Sequence, residues 1–203
     1  MKAKFFLLIA ATVLVTSCDD DDGSAPVPTS GDLFPLAVGN TWEYRYRTPH
    51  GLDDFDGVKK EITAEVQLEG RTYYQMITTW KSMPKPYLDT LYYRMDNNGF
   101  VYQRRKAGEE GNPFRINASD KSAWRYSASS TEEDMHVINQ EPITIRNTPI
   151  SNARLFTFDV AIMADEEWYT TLAPGIGIVT MSTAWVPPMD LQSAVINGQS
   201  YDF

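Results

Sequence analysis

The chain has 203 residues, of which 12% are aromatic, and its 27 acidic against 18 basic residues give a net charge of −9. That surplus repels phosphate backbones and argues against nucleic-acid binding. Cys18 is the only cysteine, which excludes an internal disulfide, and the length suffices for one domain with a proper core.

In chain order, Lys2 and Lys4 precede an apolar run from Phe5 to Val15, which ends in Leu14-Val15-Thr16-Ser17-Cys18. A basic start, a short apolar stretch and small residues at a cut site describe a secretory signal peptide. As a helix the run reaches only about 16 Å, roughly half of a ~30 Å hydrocarbon core, so it reads as removable rather than membrane-spanning. The residues before Cys18 resemble the lipobox of bacterial lipoproteins, in which the cysteine is acylated, with palmitate-like chains, and becomes the new N-terminus. Two or more acyl chains anchor firmly where one does not. Asp19-Asp20-Asp21-Asp22 is a solvated charge run; its position resembles the acidic export signal of Bacteroidota surface lipoproteins. The resemblance implies the outer face of the outer membrane, with a periplasm-facing location as the alternative. Cleavage before Cys18 removes two lysines and leaves a net of −11. Residues 1–17 thus read as the leader, 18–31 as an acidic tether and spacer, and 32–203 as a single domain.

From Thr41 the pattern is period two, the signature of half-buried strands. Trp42, Tyr44 and Tyr46 alternate with Glu43, Arg45 and Arg47. Val58 to Leu68 sets Ile62, Ala64, Val66 and Leu68 opposite Glu61, Thr63, Glu65 and Gln67, and Glu69-Gly70 turns the chain into Thr72–Trp80. Tyr87–Met95 and Phe100–Lys106 form a second hairpin across Asp96-Asn97-Asn98-Gly99. Ala107–Pro113 reads as a loop. Strands follow at Phe114–Asn117, Ala123–Ser127, Met135–Asn139, Ile143–Asn147, Arg154–Met163, Glu167–Leu172 and Ile178–Thr183. Leu191–Ile196, a turn at Asn197-Gly198 and a strand to Phe203 end the chain. The expectation is an all-β, antiparallel meander of ten to twelve strands, forming a curved sheet, half-barrel or barrel, with a β-sandwich as the alternative.

Leu33-Phe34-Pro35-Leu36-Ala37-Val38-Gly39-Asn40-Thr41-Trp42-Glu43-Tyr44 and the later Ala173-Pro174-Gly175-Ile176-Gly177 resemble two segments found together in many uncharacterised bacterial lipoproteins. The resemblance implies a curved antiparallel sheet, similar to half-barrel lipoprotein carriers, without an assigned activity. Both segments also make local sense as structural punctuation. Asp89-Thr90-Leu91 resembles the short motif used for O-glycosylation in exported Bacteroidota proteins.

Catalytic patterns are missing. His50 and His136 are the only histidines, and no serine sits in a Gly-x-Ser-x-Gly elbow. Asp53-Asp54-Phe55-Asp56-Gly57 matches part of a calcium loop, but Leu52 and Thr63 occupy ligand positions. Glu132-Glu133 and Glu166-Glu167 are adjacent, so on a strand each pair points to opposite faces and cannot act on one glycosidic bond. Tyr73-Tyr74 and Tyr92-Tyr93 place one ring on each face of their strands. Cross-strand packing explains this; the functional counterpart is an aromatic platform, for which Trp80, Tyr92, Trp124 and Trp185 are the candidate ligand-binding residues. The expected protein is a non-enzymatic, lipid-anchored envelope protein that uses no metal and no cofactor. Its β domain binds an apolar molecule, a glycan or a partner protein. A carboxylate hydrolase of surface polymers and a structural subunit of an outer-membrane complex are the alternatives.

Overall fold

The computed structural model of the protein describes residues 31–47, 57–81, 87–125, 133–139, 142–160, 167–183 and 186–203. The leader, Cys18, Asp19 to Asp22, His50, Asp53, Asp54, Asp56, Glu132, Glu166 and Trp185 lie outside the described residues.

Among the described residues the secondary structure is all β. The first meander comprises β1 (Thr41–Tyr46), β2 (Val58–Leu68), β3 (Arg71–Trp80), β4 (Tyr87–Met95), β5 (Phe100–Arg104) and β6 (Gly111–Arg115). The second begins with β7 (Ala123–Arg125) and β8 (Glu133–Asn139) and resumes at β11 (Arg154–Val160), after the separate hairpin of β9 (Ile143–Ile145) and β10 (Thr148–Ile150). It ends with β12 (Trp168–Ala173), β13 (Gly177–Thr183), β14 (Val186–Ile196) and β15 (Gln199–Asp202). β14 is long enough to pair with β13 near its start, with β15 near its end, and with β1 along its other edge. The β1–β14 ladder joins the two meanders into one antiparallel sheet, ordered β6-β5-β4-β3-β2-β1-β14-β13-β12-β11-β8-β7. This sheet curls into a nearly closed, barrel-like form. The sandwich alternative is set aside.

The remaining gap lies between β6 and β7, where side chains replace ladder bonds. Trp124 Nε1–H donates to the Asn112 carbonyl at 2.8 Å, and the Arg154 guanidinium donates to the carbonyls of Ile116 and Ala118. Phe114 and Phe156 meet edge-on across the gap with ring centroids 5.1 Å apart.

The core fills the inside of the curl: Trp42, Tyr44, Val58, Ile62, Met76, Tyr93, Phe156, Leu172 and Leu191 are all buried there. Residues 33–40 fold into one end. The Phe34 ring lies 5.3 Å from Tyr93 and 5.5 Å from Phe114, and Asn40 Nδ2 donates to the Pro35 carbonyl. The two lipoprotein-like segments meet here: Trp42 Nε1–H donates to Ile176 O at 2.6 Å, and Gly175 N–H to Asp32 O at 3.0 Å.

Several predicted elements are corrected. A bulge between Ile62 and Ala64 sets Ile62 opposite Met76 but Ala64 opposite Gln75, so Ala64, Val66 and Leu68 leave the face that Ile62 occupies. Gly111–Arg115 is a strand and not loop; its Pro113 is tolerated because β6 is an edge. The predicted strand Ile143–Asn147 ends at Ile145, and Thr148–Ile150 forms a further strand, since Arg146 and Asn147, at φ 46° and 81°, make the reversal between them. β14 begins at Val186, five residues before the predicted Leu191.

Candidate functional site

Alternation on β2 places Val58, Lys60 and Ile62 on the inner face, where Val58 and Ile62 are core residues. Lys60 is therefore a charged residue in an apolar register. Cross-strand pairing continues the anomaly: Lys60 pairs with Trp42 on β1 and Thr78 on β3, and Thr78 pairs with Asp89 on β4. Asp89 in turn stands between Tyr87 and Leu91 on the face that carries Tyr93. A polar row, Lys60–Thr78–Asp89, thus crosses three strands of the inner face.

Lys60 Nζ donates to Thr78 Oγ1 at 3.2 Å. Arg105, just beyond β5, clamps Asp89 through two hydrogen bonds of 2.5 and 3.2 Å. Burial pulls the Lys60 ammonium down to about 8, and the negative charge of Asp89 only partly opposes it.

Arg105 also lines a cavity of about 250 Å³, whose other walls are Leu91, Gln103, Arg104, Glu109, Glu110 and Gly111. Its walls include an ion-pair lattice that covers the outer face of β3–β5. Arg94 binds Glu110 in bidentate fashion at 2.6 and 2.7 Å, Arg71 adds a bond at 3.1 Å, and the Tyr73 hydroxyl donates to the same carboxylate. Arg104 forms a second bidentate pair with Glu69, and the Arg94 guanidinium lies 3.7 Å above the Tyr102 ring. Burial alone would raise the Glu110 carboxyl. The bonds from Arg94 and Tyr73, with the charges of Arg94 and Arg71, outweigh it and hold the group below its ordinary value.

Of the predicted ligand residues, the three among the described residues, Trp80, Tyr92 and Trp124, stand at separate places. Trp80 lies half-buried on the inner face at the end of β3, its ring 5.2 Å from that of the exposed Tyr87. Tyr92 is buried on the opposite face, paired with Gln75 on one side and with Arg104 of the arginine–glutamate lattice on the other. Trp124 is buried at the β6–β7 gap with its N–H spent on a carbonyl. Thr90 sits within the β3–β4 ladder opposite Ile77. His136 pairs with Ala123 and Thr157 on the face opposite Met135 and Val137. Among the described residues no cluster of His, Cys, Asp and Glu could hold a metal ion.

Sequence reasoning missed Lys60, Asp89, Arg105 and Glu110 as site residues. For the first two a signal existed: each is a charge in the apolar phase of an alternating strand, in Val58–Lys60–Ile62 and Tyr87–Asp89–Leu91. No protein-family model, curated protein or solved structure matches this chain.

Proposed function

We propose that this protein is a lipid-anchored cell-envelope protein whose β domain binds a polar, glycan-like ligand and performs no chemistry on it. The observation that carries this reading is the 250 Å³ cavity with polar walls, joined to the polar row of the inner face through Arg105, which lines the one and binds Asp89 of the other. Ligand sites combine aromatic surface with a few fixed polar groups, and here both lie within one quarter of the sheet. The cavities among the described residues suit a polar ligand better than an apolar one. The gap between Phe34, Pro35, Trp42, Met76, Gly177 and Ile178 is too small for a water molecule, and the larger cavity is walled by charge.

A hydrolase reading is also weaker. Carboxylate catalysis needs one acid held protonated near neutral pH. Glu110 and Glu69 are both shifted the other way by the arginines that bind them. Asp89 is held by Arg105.

The test is a titration of the full chain in detergent micelles with short oligosaccharides and with a fluorescent fatty acid, read by tryptophan fluorescence. The reading requires an oligosaccharide to bind, with affinity at least about tenfold weaker in Arg105→Ala, a loss of about 1.4 kcal/mol. Binding of the fatty acid alone, or of neither, overturns it. Incorporation of labelled palmitate that disappears in Cys18→Ala tests the anchor separately.

A further inference from the structure

Lys60 is costly where it stands. An ammonium has three donor hydrogens, and among the described residues its one hydrogen-bond partner is the neutral Thr78 hydroxyl. No carboxylate of the described residues lies within ion-pair distance of it, and Asp89, the nearest acid acting on it, is already bound twice by Arg105. Lysines at strand edges usually extend to water and bury only their stems. This one is flanked across the ladder by buried Trp42 and buried Thr78. It faces the same side as Trp80.

We propose that Lys60 is an anion subsite and that the ligand is a sugar or polyol bearing a single carboxylate. The proposal rests on the ligand-binding reading above and names the class of ligand. Charge balance selects a monoanion. Lys60 and Arg105 contribute two positive charges to the row and Asp89 one negative charge, so one carboxylate neutralises it. A dianionic phosphate would place surplus negative charge beside Asp89, at a cost that rises as water is displaced. The Trp80–Tyr87 rings, two residue pairs further along β3 and β4 and so on the same face, supply the apolar surface for the body of such a ligand.

Among the described residues of β1 to β5 and the residue after them, the titratable and charged groups on this face are Tyr44 and Tyr46 from β1, Glu65 from β2 beyond the bulge, Tyr74 from β3, Tyr87, Asp89 and Tyr93 from β4, and Arg105 after β5. Lys60 is the group that burial brings to about 8. A carboxylate held by its charged form is therefore released as pH rises through that value.

Calorimetric titration of the full chain in detergent micelles with galacturonate, neutral galactose and galactose 6-phosphate tests this at pH 7 and pH 9.5. The expected result at pH 7 is that galacturonate, a monoanion, binds at least about tenfold more tightly than galactose, and that this preference falls at least about tenfold by pH 9.5. Lys60→Gln abolishes the preference. Lys60→Arg keeps it and removes its pH dependence, because a guanidinium does not titrate there. Equal affinity for the acidic and neutral sugars, with sensitivity to Arg105→Ala intact, overturns the anion subsite and leaves the binding reading standing. Preference for the phosphate sugar overturns the carboxylate assignment. Binding of no sugar overturns both.

Discussion

Lys60 couples stability to pH in a direction opposite to that of a paired acid. Its folded value, about 8, lies below the ordinary 10.5, so between these limits the unfolded chain holds more protons than the folded one. Stability therefore rises with pH across that window. The penalty is fully present below pH 8 and absent above pH 10.5. Lys60→Met removes the charge while conserving most of the stem, and is expected to stabilise the full chain at pH 7 by about 1–3 kcal/mol. The gain shrinks toward zero near pH 10.5, as urea denaturation at the two pH values would report. A residue needed only for folding would give the reverse, a loss at pH 7. Glu110 illustrates the contrast: its carboxylate is surrounded by Arg94, Arg71 and Tyr73 and is held in its charged form by them.

The segment ahead of β1 and the turn between β12 and β13 act as one element, because each supplies what the other lacks. Trp42 needs an acceptor for its buried N–H, and Ile176 offers its carbonyl. Gly39 N–H donates to Ile62 O, and Asn40 O accepts from Ile62 N–H, which fixes this segment against β2. Gly177 stands at φ 91°, and a Cβ there would lie 3.1 Å from Pro35 Cδ and 3.4 Å from Trp42 Nε1. Gly39 has a similar φ of 94° but open space around it. Gly39→Ala is expected to cost about 1–2 kcal/mol from backbone strain alone. Gly177→Ala should cost about 1 kcal/mol or more beyond that, because Pro35 and Trp42 have to move. Comparing the two urea midpoints isolates the close approach; equal losses would mean that the end segment yields freely.

Closure of the molecule depends on the gap between β6 and β7, where no ladder runs. Arg154 is central to it. Burial lowers the affinity of its guanidinium for the proton, against a favourable contribution from Asp120, and its Nε is buried without a partner. Two carbonyls of the β6–β7 connection, of Ile116 and Ala118, nonetheless depend on it. Arg154→Met leaves both without that donor, at about 1–3 kcal/mol for each buried group that water does not reach. The expected outcome is local opening: amide exchange in Gly111–Arg115 and Ala123–Arg125 accelerates at least about tenfold while the β1–β14 ladder is unaffected. Uniform acceleration across the sheet would instead show that the gap opens only with global unfolding.

Strand identity was legible because alternation is local: Trp42, Tyr44, Phe156 and Phe158 announce a buried face within a few residues. The turns at Glu69-Gly70 and Asn197-Gly198 were legible for the same reason, since their positive φ values are a property of two residues. The bulge after Ile62 was not, because an extra residue in one strand is defined only against its partner. Nor was the fate of the tyrosines: Tyr73-Tyr74 and Tyr92-Tyr93 had to point both ways, but which ring would be covered depended on Glu110, 37 residues after Tyr73, and on Arg71 and Arg94, 39 and 16 residues before it. The amino-acid order alone thus specified an all-β chain with one anomalous lysine on an apolar stripe. Folding alone put Asp89, with the Arg105 that binds it, on the same face two strands from that lysine, because cross-strand register, which joins residues far apart in the chain, is written in pairs and not in either strand.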